Sequence, residues 1–177
     1  MIARLLIAVA AGLVGAGIVH IVGVLAVPTL SPTDPYSRIV ALGEPGRFHP
    51  LPVDDPFARA VACAMPLGDA RRVVAENAFP VELGFWSAAV FAQDGTAIYS
   101  LNDRTAIDGL LDLIVATPER VGRLRGELDQ NAPELVAVPG DAAVAVLRTH
   151  VSDPGLVPLA DAFLGSASCE PLVVGQE

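Results

Sequence analysis

The residues best suited to chemistry lie in one run, Tyr99-Ser100-Leu101-Asn102-Asp103-Arg104, just ahead of Asp108-Gly109. An Arg beside carboxylate and amide groups can hold an anionic or hydroxylated ligand through paired hydrogen bonds. With Trp86 as a stacking platform on the facing strand, Trp86, Tyr99, Asn102, Asp103 and Arg104 make a candidate site for a sugar or another small polar ligand. The same Asn-Asp-Arg run is also an ordinary strand end, in which Asp103 accepts nearby backbone N–H groups and Arg104 is solvated. Both readings stay open at this point.

No catalytic template accompanies the run. The chain has no G-x-S-x-G elbow, no H-E-x-x-H pair, no Gly-rich phosphate loop and no calcium-loop pattern. His49 sits in a Pro-rich stretch and His150 ends a predicted strand, so no second ligand stands near either, and no metal or cofactor is expected. Cys63 and Cys169 are the two cysteines. In an oxidising compartment they would form a bridge closing a loop of about 106 residues, which stabilises by roughly 4 to 5 kcal/mol in the chain-entropy view. The alternative is a pair of small buried thiols.

The elements that must position these groups read mainly as strands. Segments Ala58 to Met65, Arg71 to Phe79 and Gly84 to Ala92 are short, apolar and bounded by turn residues. Asp94-Gly95 between two aromatic-bearing runs predicts a hairpin from Phe85 to Leu101 with a two-residue turn, because Gly accepts positive φ without steric cost. Leu110 to Ala116, Leu135 to Val138 and Ala142 to Val151 add strands, the last two around Pro139-Gly140-Asp141. Thr117-Pro118-Glu119-Arg120 opens a short helix with Val121, Leu124 and Leu128 at helical spacing, and Leu156 to Leu164 reads as a second. The fold class expected is mainly β, a sandwich or jelly-roll-like domain with one or two short helices over residues 58–177. Residues 28–57, rich in Pro and Gly, read as a linker, with a weak helical stretch from Tyr36 to Leu42.

The N-terminus has a different character. Leu5 to Val27 holds no charged residue and one His, long enough to span the roughly 30 Å hydrocarbon core. Residues 1–27 therefore read as a cytoplasmic stub and an uncleaved transmembrane anchor, the apolar run exceeding that of a cleavable signal. Arg4 precedes the helix and Asp34 follows it before any Arg, which places the N-terminus inside and the domain in the periplasm, anchored to the inner membrane. At 100° per residue Ala8, Gly12, Ala16 and His20 form one ridge, and Ala11, Gly15, Val19 and Gly23 the next. This smooth face suits close approach of another helix, from a protein partner or a second copy. Over the whole chain 20 acidic residues oppose 11 basic ones, all Arg, for a net charge of −9. Such a surface repels nucleic acid, which is excluded as a partner.

Three stretches carry a family likeness: GAGIVHIVGVLAVP at Gly15 to Pro28, DPFARAVACAMPL at Asp55 to Leu67, and FWSAAVFAQDGTAIYSLNDRT at Phe85 to Thr105, together with the late Cys169. They resemble the short, membrane-anchored bacterial proteins of the DUF1254 family. The resemblance implies a β-rich exported domain with no established activity, an aromatic pair at Phe85-Trp86-Ser87 and the polar run Asn102, Asp103 and Arg104. Gly68-Asp69-Ala70-Arg71-Arg72 is more polar than the corresponding turn of that pattern, which leaves the ends of the second strand open. The functional expectation is a non-enzymatic envelope or membrane-complex accessory module that binds a protein partner. The alternative is a carbohydrate or small-ligand domain using the five residues named at the outset.

Overall fold

The computed structural model describes residues 2–30, 34–128 and 132–173. The chain divides into two units, residues 1–33 and 34–177. The first is one helix, α1 (Ile2–Leu30), whose segment Ile2–Ala26 has the length and apolar composition to cross a membrane. At 1.5 Å per residue 25 residues extend about 38 Å, more than a hydrocarbon core. A signal sequence passes the same test.

The second unit is a two-sheet β-sandwich. Its strands are β1 (Phe48–Pro50), β2 (Ala58–Pro66), β3 (Arg71–Ala75), β4 (Trp86–Ala92), β5 (Ala97–Asn102), β6 (Asp112–Ala116), β7 (Glu134–Ala137), β8 (Ala142–His150) and β9 (Ala167–Pro171). Sheet A has the order β1-β2-β8-β4-β5 and sheet B the order β7-β6-β3-β9. All pairs are antiparallel except β6 and β7, which run parallel because α3 (Pro118–Glu127) carries the chain back between them. Between the sheets lies the core: Val61, Cys63 and Met65 of β2, Trp86, Ala88 and Val90 of β4, and Ala145 and Leu147 of β8 face Val73, Leu113, Val115 and Val136. The Cys63–Cys169 disulfide crosses this core and joins β2 of sheet A to β9 of sheet B.

Three α-helices among the described residues close the remaining faces: two within residues 58–177, as expected, and one at the weak helical stretch ahead of them. Asp34 caps α2 (Pro35–Val40), accepting from Ser37 N at 2.6 Å, and Pro35 at the first position is preset for a helix. This helix lies against β2 and β8, where Ala62 and Ala64 are buried on the side away from the core. Helix α3 lays Val121 and Leu124 on Ile114 and Ala116 of sheet B. Helix α4 (Val157–Gly165) sends Phe163 and Leu164 into the open end of the sandwich.

Several boundaries differ from the sequence reading. Residues 34–57 belong to the folded unit rather than to a linker: β1 pairs with β2, Phe48 opposite Cys63. Helix α1 runs on to Leu30. Strand β3 stops at Ala75, since Glu76 N and Asn77 N turn to Ser166 at 3.3 and 3.2 Å instead of continuing the ladder to Phe79. Strand β4 begins at Trp86, after Gly84 takes φ 73° at the end of a 3₁₀ turn over Val81–Leu83. The β4–β5 hairpin is present, but its turn is longer than two residues. Gly95 N donates to Ala92 O at 2.9 Å, Ala92 N donates to Thr96 O at 2.8 Å, and Gly95 supplies the positive φ of 91°. Strands β1 and β9 are too short and too mixed to stand out in sequence.

Candidate functional site

Strand β4 alternates strictly: Trp86, Ala88, Val90 and Ala92 are buried, while Ser87, Ala89 and Phe91 point to the outer face. Trp86 is 1% exposed, with its ring edge-on to Phe79 at 6.5 Å and tilted against Phe163 at 6.3 Å. It is a core residue, and its Nε1 finds no acceptor among the described residues. Tyr99 pairs with Val90 across β4 and β5 and packs half-buried against the same core. Burial raises its phenol pKa, and the nearby Glu134 carboxylate raises it further.

Asn102 is on the opposite face of sheet A, across from Ser87. Its Oδ1 accepts from Arg104 N at 2.9 Å and Thr105 N at 3.1 Å, closing an Asx turn at the strand end. Asp103 N donates to Trp86 O at 3.3 Å, and Asp103 Oδ1 is buried with no hydrogen-bond partner among the described residues. Arg104 is exposed. The sheet thus divides the five residues: Trp86 and Tyr99 inward, Asn102 outward.

What the sheet does bring together is a row across three strands. Arg148 of β8 pairs with Ser87 of β4, which pairs with Asn102 of β5. Arg148 Nε donates to Ser87 Oγ at 2.7 Å. The next row of the same face is Val146, Ala89 and Ser100. Phe85 and Phe91 flank these rows, enclosing a shallow concavity of about 470 Å³. Sequence reading missed Ser87 and Arg148 because 61 residues separate them and only the β4–β8 register makes them neighbours.

The other predicted groups are elsewhere. Cys63 and Cys169 are fully buried and bridged. Ala8, Gly12, Gly15, Ala16, His20 and Gly23 all lie on α1, and a Cβ added at Gly12, Gly15 or Gly23 would meet nothing within 4 Å. His49 Nε2 sits 2.9 Å from Glu44 O, and His150 lies 6.4 Å from the Phe57 ring. Among the described residues no three His, Cys, Asp or Glu side chains converge as metal ligands.

No protein-family model and no curated protein matches the chain in sequence. Its fold is similar to that of the VPA0106 protein from Vibrio parahaemolyticus, with a TM-score of 0.60 and 11% identity over 77% of this chain. A protein from Burkholderia cenocepacia aligns with a TM-score of 0.46 and 13% identity over 83% of this chain. The chain spans 33% of the Vibrio protein and 46% of the Burkholderia protein. At such identities the likeness to the Vibrio protein is one of fold.

Proposed function

We propose that this chain is a membrane-anchored envelope module of the short DUF1254 type, with its N-terminus in the cytoplasm and its sandwich in the periplasm. In this reading it is a non-enzymatic accessory subunit that binds a protein partner, or a second copy of itself, through the small-residue face of α1. The observation that carries it is the combination, in one chain, of an uncharged helix of membrane length after Arg4 with a sandwich whose sheets are joined by a disulfide. Disulfides persist in oxidising compartments, so the bridge between the sheets supports a domain outside the cytoplasm. Gly12, Gly15 and Gly23 leave the backbone open to close packing, as helix pairs in membranes require.

The test is purification of the tagged full chain in gentle detergent after crosslinking in cells, beside a Gly12→Leu/Gly15→Leu variant. A crosslinked homodimer or a defined partner that is lost in the variant supports the reading. Identical assemblies in both chains contradict it.

A second reading, a domain that binds a small polar ligand, has one observation in its favour. The outer face of sheet A gathers Arg148, Ser87 and Asn102 beside an apolar floor.

A further inference from the structure

We infer that the concavity on the outer face of sheet A binds a small hydroxylated carboxylate, of the size and polarity of a sugar acid. The inference rests on the second reading above and names the ligand's chemistry.

Arg72 and Arg120 each reach a carboxylate, Asp112 at 2.7 Å and Asp69 at 2.9 Å. Arg148 is exposed and, like most of the arginines, has no carboxylate partner among the described residues. It is nonetheless not a loose surface cation. Its Nε is held by Ser87 Oγ at 2.7 Å, which fixes the plane of the guanidinium and leaves the Nη edge for an acceptor with two oxygens.

Asn102 ends the same row. Its Oδ1 is committed to Arg104 N and Thr105 N, so its orientation is set and its Nδ2 remains as a donor. Arginine and amide donors on one row, with no acid between them, suit a carboxylate. Val146, Ala89 and Ser100 form the floor beside that row, small enough for a ring to settle between Phe85 and Phe91. The Ser100 hydroxyl on this surface matches a ligand that carries hydroxyl groups of its own, while the Thr105 hydroxyl is engaged with Asn102. A concavity of about 470 Å³ accommodates a single sugar ring.

The probe is glucuronate, with glucuronamide as its neutral counterpart, titrated into the ¹⁵N-labelled full chain in a sugar-free detergent. Amide shifts of Ala89, Ser100 and Asn102 are followed. Saturable shifts with glucuronate at about millimolar affinity are expected, since few-atom ligands in shallow sites bind no tighter. Glucuronamide should bind at least tenfold more weakly, Arg148→Gln should lose binding, and Ser87→Ala should weaken it by freeing the guanidinium. Arg59→Gln, on a different strand, should bind as the parent does. Equal binding of both compounds, or unchanged binding in Arg148→Gln, overturns the carboxylate assignment while leaving a ligand site. No saturable shift from either compound overturns both the assignment and the ligand reading beneath it.

Discussion

Strand β6 of sheet B and strand β4 of sheet A are covered in opposite ways. On sheet B, α3 covers β6, so Leu113, Ile114, Val115 and Ala116 are buried on both sides of the strand. On sheet A, α2 covers β2, but β4 is buried only at alternate positions and Ser87, Ala89 and Phe91 stay at the surface. Covered strands read as continuous apolar runs and half-covered ones alternate. The difference separates a strand buried on both faces from one whose outer face stays at the surface.

Cutting the link between the two sheets should have the largest effect. A Cys63→Ser/Cys169→Ser chain is expected to lose about 4 to 5 kcal/mol in denaturant unfolding, from a loop spanning 106 residues. A loss below about 1 kcal/mol would mean that the core alone holds the sheets together.

The next effect contrasts the faces directly. Ile114→Ala, beneath α3, should cost about 3 kcal/mol, because the space it leaves is enclosed. Ala89→Leu, on the open face, should change stability by less than about 0.5 kcal/mol. Equal costs would show that the outer face of sheet A is covered after all.

A smaller effect belongs to the ion pair between the two central strands of sheet B. Arg72 reaches Asp112 with both Nε and Nη2, at 2.9 and 2.7 Å, but the side chains are 50% and 30% exposed. Asp112→Asn should therefore cost about 0.5 kcal/mol, a loss that 1 M salt should largely remove from the parent chain.

The smallest effect is on the α2 cover of sheet A. The Ser37 N–H held by Asp34 lowers the folded-state pKa of that carboxyl below its ordinary 3.8. Its contribution is present above the unfolded pKa and is lost as pH falls through the lowered value. Acidification below pH about 4 should speed amide exchange in α2 before it does so in α3, since α3 has no side-chain cap bond. Simultaneous loss of protection in both helices would contradict the assignment.

Much of the fold was legible in the sequence. The β4–β5 hairpin, the helix after Thr117-Pro118 and the two-sheet class all follow from turn chemistry and periodicity. The site was less so, because β4 carries apolar residues at both parities: Ala89 and Phe91 on one side, Trp86, Ala88 and Val90 on the other. Alternation alone could not say which set faces inward. Trp86, the natural stacking candidate, went to the core, and the modest Ser87 stayed outside. The Arg148–Ser87–Asn102 row depends on β8 lying between β2 and β4, a long-range order that no local pattern encodes.

The central claim, an anchored domain that folds outside the cytoplasm, rests most directly on the state of Cys63 and Cys169 in the cell. Cells expressing the full chain are quenched in acid, and thiols are labelled with a maleimide polymer before and after reduction. The expected result is no labelled thiol before reduction and two after it, in protein recovered from the membrane fraction. Two labelled thiols without reduction would place the domain in a reducing compartment and contradict the claim.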